Sequence, residues 1–178
     1  MHLLLLDANS IINRAFYGVK PLTTKDGQYT NALFGFLNIL SRLREQVQPD
    51  GIVAAFDRRE PTFRHKHSEA YKATRKPMPD DLAAQMPVLK DVLDALGIER
   101  RELSGWEADD LLGTVSRIGA EQGWECVVVT GDKDALQLVS GSTTVILTKK
   151  GISETADYTP ERLGEEYGLT PERMPDLK

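Results

Sequence analysis

Apolar runs and amphipathic stretches alternate along the chain, and this alternation predicts most of its secondary structure. Four short apolar runs have the length and residue types of buried strands, at residues 3–6, 52–56, 126–129 and 143–147. A weaker run at residues 98–103 suggests a further short strand. Between these runs, apolar residues recur at the spacing of amphipathic helices, at residues 11–17, 30–47, 80–96 and 107–118, with a helical turn at 135–139. Strands that alternate with helices are typical of an α/β fold, here a mostly parallel twisted sheet with helices on both faces.

Three aspartates follow predicted strands. Asp7 ends the first strand, Asp57 ends the second, and Asp132 comes shortly after the third. Ligands of parallel α/β sheets bind beyond the C-terminal ends of the strands, so we expect these carboxylates to share one rim of the sheet. A single aspartate after a strand is usually a turn or cap residue. The prediction of a functional site therefore depends on all three aspartates lying on the same rim.

A dense acidic stretch, Ser104-Gly105-Trp106-Glu107-Ala108-Asp109-Asp110, stands at the start of a predicted helix. Three carboxylates within four residues repel one another unless a cation lies among them. The stretch precedes the third long strand by one helix, so the start of this helix should open on the same rim. Two structural interpretations remain open. Ser104 and Glu107 have the spacing of a capping box, and Asp109 and Asp110 favour the positive end of the helix dipole.

Carboxylates dominate the candidate chemistry of the sequence. Oxygen-only ligands select hard cations, which predicts Mg²⁺ or Mn²⁺. Two such ions about 4 Å apart support in-line hydrolysis of a phosphodiester. The sequence contains neither a G-x-S-x-G motif nor a Walker A motif as another catalytic centre. The candidate metal ligands and catalytic residues are Asp7, Asp57, Glu107, Asp109, Asp110, Asp132 and Asp134.

The net charge of −5 over 178 residues argues at first against a nucleic-acid partner. Its distribution changes this view, because residues 58–76 hold seven Lys or Arg and two Glu, a local charge of +5 that leaves −10 for the rest. Aromatic rings interleaved with these cations suit stacking on bases and contacts with phosphates. The alternative is a solvated charged loop. The candidate DNA contacts are Phe63, Arg64, Tyr71, Lys72 and Arg75.

Taken together, the motifs resemble those of the 5′ nuclease domain family of bacterial DNA polymerase I. This family belongs to the flap endonuclease group, with a PIN-like, resolvase-like fold. The resemblance covers essentially the whole chain in order. The motifs that carry it include Leu6-Asp7-Ala8-Asn9-Ser10, Tyr71-Lys72-Ala73-Thr74-Arg75, Gly105-Trp106-Glu107-Ala108-Asp109-Asp110 and Thr130-Gly131-Asp132-Lys133-Asp134.

The resemblance implies a structure-specific 5′ to 3′ exonuclease and flap endonuclease that removes 5′ flaps and RNA primers from DNA in replication and repair. It implies that a basic segment at about residues 58–80 forms an arch that guides the single-stranded 5′ end. It also implies that Asp132 and Asp134 contribute to a second metal site. The residues implied for the first metal site are Asp7, Asp57, Glu107, Asp109 and Asp110.

In this family the chain continues into a helix-hairpin-helix module that completes the second metal site and grips duplex DNA. The sequence stops at Lys178, so we expect one catalytic domain over residues 1–178, with weak metal-dependent activity. We also expect a monomer in the bacterial cytoplasm, near the nucleoid, because no run reaches the roughly 18 apolar residues of a membrane span. Two alternatives stay open. One is a DNA-binding module without a complete metal pair, and the other is a PIN-like ribonuclease for single-stranded RNA.

Overall fold

The computed structural model describes residues 1–58, 60, 62, 63, 77–149 and 154–177. Within these ranges, six strands form one sheet in the order β3-β2-β1-β4-β5-β6. Every neighbouring pair is parallel except β5 and β6. The predicted, mostly parallel α/β sheet is therefore confirmed. The strands are His2–Asp7 (β1), Gly51–Ala55 (β2), Glu99–Arg101 (β3), Glu125–Thr130 (β4), Thr143–Thr148 (β5) and Thr155–Tyr158 (β6).

The helices before residue 125 lie close to where the apolar spacing predicts them, with one division. The segment predicted as a single helix at 80–96 breaks at Ala84, because Pro87 lacks an N–H and its ring clashes with the carbonyl of residue 83. None of the helices in the described ranges combines the length and apolarity that a membrane span requires. The helices are Ala8–Gly18 (α1), Asn31–Val47 (α2), Asp80–Ala83 (α3), Gln85–Ala95 (α4), Ala108–Glu121 (α5) and Pro160–Tyr167 (α6), with 3₁₀ helices at Lys133–Leu138 and Pro171–Leu177.

Helices cover both faces of the sheet because successive side chains of a strand point to opposite sides. On β1, Leu4 and Leu6 pack in a core with α1, α2 and α4, whereas Leu5 packs in a second core with α5. All three leucines are almost completely buried. Each contributes about 1.5–3 kcal/mol of hydrophobic stabilisation, so β1 is the central element of the fold.

The antiparallel edge strand β6 is not among the predicted strands. Of its four residues, Ala156 and Tyr158 are buried, while Asp157 is exposed. Two apolar positions in four residues are too few to establish a strand period from the sequence alone. Pairing with β5 decides its conformation.

Close packing of α5 on the sheet gives a test of the second core. A Cβ atom added at Gly119 would lie 2.8 Å from the Sγ atom of Cys126 on β4. We therefore expect Gly119→Ala to lower the free energy of unfolding by about 1–3 kcal/mol, the usual cost of overpacking, as measured by urea denaturation.

The matched control is Gly164→Ala in α6, where an added Cβ meets nothing within 4 Å. Alanine favours a helix over glycine by about 0.5–1 kcal/mol, so this variant should be slightly more stable than the wild type. An unfolding midpoint of Gly119→Ala at or above the wild-type value would contradict close packing of Gly119 against Cys126.

Candidate functional site

The C-terminal ends of neighbouring strands bring distant acidic residues to one rim of the sheet. Asp7 ends β1, Asp57 follows β2, and Asp132 follows β4. Together with Glu107 and Asp109 from the start of α5, they line a cleft of about 640 Å³. Five of the seven predicted acids thus share one cleft, as parallel strand ends in this order require.

Asp7 is the acid whose environment is most perturbed. It is 6% exposed, its Oδ1 atom accepts a hydrogen bond from Ser10 N at 2.9 Å, and its Oδ2 atom accepts one from the Thr130 hydroxyl at 2.7 Å. Burial is the main reason that the pKa of Asp7 rises to about 6; the charges of Asp57 and Asp132 also raise it, and the two hydrogen bonds lower it. A nearby cation would favour the charged form of this carboxyl group.

Asp57 connects the strand ends to the start of α5. Its Oδ1 atom accepts a hydrogen bond from Ala108 N at 2.7 Å, which places the carboxylate at the positive end of the helix dipole. Its own backbone N donates to Asn9 Oδ1 at 3.1 Å. Asp57 therefore fixes β2, α1 and α5 relative to one another at the cleft.

The capping box at the start of α5 is formed by Glu107 and Asp110, not by Ser104 and Glu107 as their spacing suggested. Glu107 is itself the N-cap, and Asp110 closes the box: Glu107 N donates to Asp110 Oδ2 at 3.0 Å, and the Glu107 side chain accepts from Asp110 N. The predicted register was wrong because Gly105, at φ +83°, forms a turn before the helix. The Ser104 hydroxyl donates to the carboxylate of Glu60 instead.

Two predicted acids stand beside the cleft rather than among the residues that line it. Asp110 belongs to the capping box, and Asp134 donates its backbone N–H to Asp132 Oδ1 at 2.9 Å. Over the part of the chain that the structure describes, no three His, Cys, Asp or Glu side chains meet the geometry of a metal site. The fold gathers the carboxylates around the cleft, and a bound cation would need to draw them closer.

The donor set of the cleft nevertheless fits a hard divalent cation. The acidic side chains offer oxygen atoms, and neither His nor Cys is found among the described residues that line the cleft. Mg²⁺, Mn²⁺ and Ca²⁺ prefer such ligands, whereas Zn²⁺ sites usually include nitrogen or sulfur.

Thr130 is a candidate positioning residue that the sequence did not reveal. Its side chain is fully buried, and its hydroxyl donates to Asp7 and accepts from Asp132 N at 3.1 Å. The Thr148 hydroxyl in turn donates to the Thr130 carbonyl at 3.2 Å. A β-branched residue at a strand end is so common that its position in the sequence gave no distinct signal.

Arg14 is the one basic residue among the described residues that line the cleft. Its Nη2 atom donates to the Gly131 carbonyl at 3.0 Å, and its Nη1 atom donates to the Lys149 carbonyl. Ser10 Oγ accepts from Gly131 N at 2.8 Å, so α1 is tied to the loop after β4 at two points. Nothing in the sequence near Arg14 indicates this partner, because the contact spans 117 positions.

Of the predicted DNA contacts, Phe63 is described by the structure. It is 37% exposed and packs against Trp106, with ring centroids 5.1 Å apart. Most of the predicted arch segment lies outside the described residues. The other four predicted contacts also lie outside them: Arg64, Tyr71, Lys72 and Arg75.

Comparison with known proteins decides the family. The model of the 5′-3′ exonuclease N-terminal resolvase-like domain matches residues 2–168. The chain belongs to this exonuclease domain family. DNA polymerase I of Bacillus subtilis (strain 168) is 43% identical to the exonuclease domain over 176 residues, or 99% of the chain. DNA polymerase I of Mycobacterium bovis is 46% identical over 177 residues, or 98% of the chain. In both comparisons the chain spans 20% of the length of the relative.

Solved structures share the fold of this exonuclease domain. The T5 D15 protein co-crystallised with metal ions aligns with a TM-score of 0.74 at 15% identity, over 100% of this chain and 65% of that chain. Flap endonuclease-1 from Methanococcus jannaschii aligns with a TM-score of 0.57 at 16% identity, over 98% of this chain and 62% of that chain. The PIN-like fold implied by the sequence motifs is confirmed.

Proposed function

We propose that this exonuclease domain is a metal-dependent 5′ nuclease that hydrolyses DNA phosphodiesters at 5′ flaps and single-stranded 5′ ends, including those that carry RNA primers. The convergence of five carboxylates on one cleft carries the proposal. The family supplies the reaction class. A bacteriophage T5 D15 flap endonuclease of similar fold forms a pseudo-enzyme–product complex with DNA and metal ions, which supports the choice of substrate.

We propose Mg²⁺ or Mn²⁺ as the cofactor, in two sites. When bound, a hard divalent cation supplies Lewis-acid polarisation and offsets the negative charge of the phosphodiester. Asp132 and Asp134 would contribute to the second site. The residues that would hold the first ion are Asp7, Asp57, Glu107, Asp109 and Asp110.

The hydrogen bonds of the cleft prepare these carboxylates for one arrangement. Ser10 N and the Thr130 hydroxyl each hold one oxygen of Asp7, and Ala108 N holds one oxygen of Asp57. Groups held by such hydrogen bonds keep their orientation toward the cleft, so a bound cation would need only to draw them closer. Since Thr130 also accepts from Asp132 N, a single hydroxyl links the acids of the two proposed sites.

Arg14 and a basic segment of the sequence provide positive charge that suits a phosphate-bearing substrate. The guanidinium of Arg14 is fixed by two backbone carbonyls and lines the cleft. The segment at residues 58–76 adds a local charge of +5, which would attract the DNA backbone. We propose that this segment guides the unpaired 5′ strand, with base and phosphate contacts from Phe63, Arg64, Tyr71, Lys72 and Arg75.

Cleavage of a labelled 5′ flap in Mg²⁺ tests the proposed function. We expect the flap to be cut at least about 10-fold faster than unpaired RNA of the same length, and Asp109→Ala and Asp132→Ala each to slow cleavage more than about 100-fold, the scale of losing one charge-stabilising group. The control is Asp91→Ala, an exposed acid on α4 outside the cleft, which should cut at the wild-type rate.

The two alternatives give different results in the same assay. Faster cleavage of unpaired RNA than of the flap would indicate a PIN-like ribonuclease. Flap binding that never leads to cleavage, with or without Mg²⁺, would indicate a DNA-binding module.

A further inference from the structure

Trp106 and Phe63 form an exposed aromatic pair beside the acidic cleft. Trp106 is 47% exposed and Phe63 is 37% exposed, and their ring planes meet at 58°. Large apolar side chains that stand singly on a surface are ordinary, whereas adjacent ones often mark a binding site. Neither ring is a ligand candidate for a metal ion, so the proposed metal chemistry does not account for the pair.

The backbone holds the two rings in place. Phe63 N donates to the Gly105 carbonyl at 3.1 Å, and Trp106 N donates to the Leu103 carbonyl at 3.2 Å. Gly105 lies at φ +83°, a conformation that glycine adopts without strain. A ring fixed by such a turn is preorganised, so it loses less conformational freedom when a ligand stacks on it.

The pair is also adjacent in sequence to a cleft residue and to the basic segment. Trp106 immediately precedes Glu107, which is 6% exposed and lines the cleft. Phe63 belongs to the segment at residues 58–76 with its local charge of +5. A strand with one phosphate in the cleft would bring a neighbouring base close to Trp106, because Glu107 lines that cleft.

We propose that Trp106 stacks on an unpaired nucleobase adjacent to the phosphodiester in the cleft, with Phe63 supporting the indole from its side. The occupant is a base of single-stranded DNA, so this inference rests on the nuclease function proposed above. Stacking of this kind accepts every base because each has a π-face, and it contributes about 5-fold to 150-fold in affinity per base. Trp106 is thus a positioning residue that fixes the strand relative to the carboxylates.

Tryptophan fluorescence gives a direct test. The chain has two tryptophans, so Trp124→Phe leaves Trp106 as the sole indole. Titration of this variant with a 5′-flap oligonucleotide, without added divalent metal, should quench the emission in parallel with the binding isotherm. Emission that is unchanged at saturating oligonucleotide would overturn the proposal.

An abasic scan identifies the base that stacks. Single abasic sites are placed in turn along the unpaired strand, and affinity is measured for the wild type and for Trp106→Leu, which keeps an apolar contact with Phe63 but has no π-face. We expect one position where loss of the base weakens wild-type binding at least about 5-fold and weakens Trp106→Leu much less. Trp106→Phe, which retains a ring, should restore most of the difference.

The results separate this inference from the proposed function. If each abasic site weakened binding by the same factor in the wild type and in Trp106→Leu, the stacking role would be overturned, even if the domain cleaves flaps. A clear stacking position in a domain that never cleaves in Mg²⁺ would support the stacking role and overturn the nuclease function. No measurable binding to the oligonucleotide would overturn both.

Discussion

Replacement of Asp7 by asparagine should nearly abolish flap cleavage and, in the absence of divalent metal, make the domain more stable. Asparagine has the shape of aspartate, so its Oδ1 atom can still accept the hydrogen bond of Ser10 N. Its Nδ2 atom takes the place of Oδ2 and can donate to the Thr130 hydroxyl oxygen, which reverses the direction of that hydrogen bond. It lacks the negative charge that a cation in the cleft would need. We expect cleavage to fall more than about 100-fold, since even residues behind a metal ligand commonly contribute 10-fold to 100-fold.

The gain in stability follows from the pKa of Asp7, which rises from 3.8 to about 6 mainly through burial. The folded state then holds the proton more tightly than the unfolded state. The protonated Asp7 carboxyl group therefore stabilises the folded state relative to the charged form. This stabilisation is complete below pH 3.8 and is lost as the pH rises through about 6. By pH 8 the buried charge costs on the order of 3 kcal/mol, because each pKa unit corresponds to about 1.4 kcal/mol.

Urea denaturation of the metal-free proteins measures this difference. The excess stability of Asp7→Asn should approach its full value at pH 8 and shrink as the pH falls to 5. The control is Asp91→Asn, an exposed change that should leave stability nearly unchanged at both values. If the free energy of unfolding of Asp7→Asn exceeded that of the wild type by the same amount at pH 5 and at pH 8, the destabilising role of the Asp7 charge would be contradicted. If Asp7→Asn cleaved the flap at the wild-type rate, Asp7 would not belong to the site.

Chelation of divalent metal should stop cleavage, and excess Mg²⁺ should raise the melting temperature of the domain. The carboxylates of the cleft repel one another, and an ion that binds the folded state alone stabilises it by about 2.7 kcal/mol at 100 times its dissociation constant. For a domain of this size that corresponds to a shift of about 5–10 °C. Scanning calorimetry in EDTA and in Mg²⁺ measures the shift.

Two controls separate a specific site from general screening of charge. Na⁺ at equal ionic strength screens surface charges without occupying an oxygen-lined site, so its effect should be much smaller. Asp132→Asn removes a carboxylate from the cleft and should reduce the shift in Mg²⁺. Full cleavage in EDTA, or equal shifts in Na⁺ and Mg²⁺, would refute the metal centre.

The sequence was sufficient to predict the central strands, because a strand buried on both faces is a continuous apolar run. β1, β2, β4 and β5 are of this kind, and each lies within a residue or two of its prediction. β6 escaped prediction because its buried and exposed residues alternate over four positions only. The break between α3 and α4 was missed because apolar periodicity continues past it while Pro87 interrupts the hydrogen bonds.

At the start of α5 the sequence predicted which acids lie near the helix N-terminus but not which of them is the N-cap. Glu107, Asp109 and Asp110 are all close to the helix N-terminus, as their spacing indicates. Which of them caps the helix depends on the turn at Gly105 and on the hydrogen bond between Ala108 N and Asp57. The assignment of individual acids to metal ions stays a prediction, which the variants of Asp7, Asp109 and Asp132 test.

The sequence by itself determined which residues end strands and begin helices, since these are local consequences of apolar spacing and of backbone chemistry. It thereby placed Asp7, Asp57 and Asp132 at the C-terminal ends of their strands. The tertiary structure alone decided which groups touch. Thr130 reaches Asp7 across 123 positions of sequence because β1 and β4 are neighbours in the sheet, and Arg14 reaches Gly131 because α1 packs beside that strand end. Such contacts depend on the order of the strands, which apolar patterns do not encode.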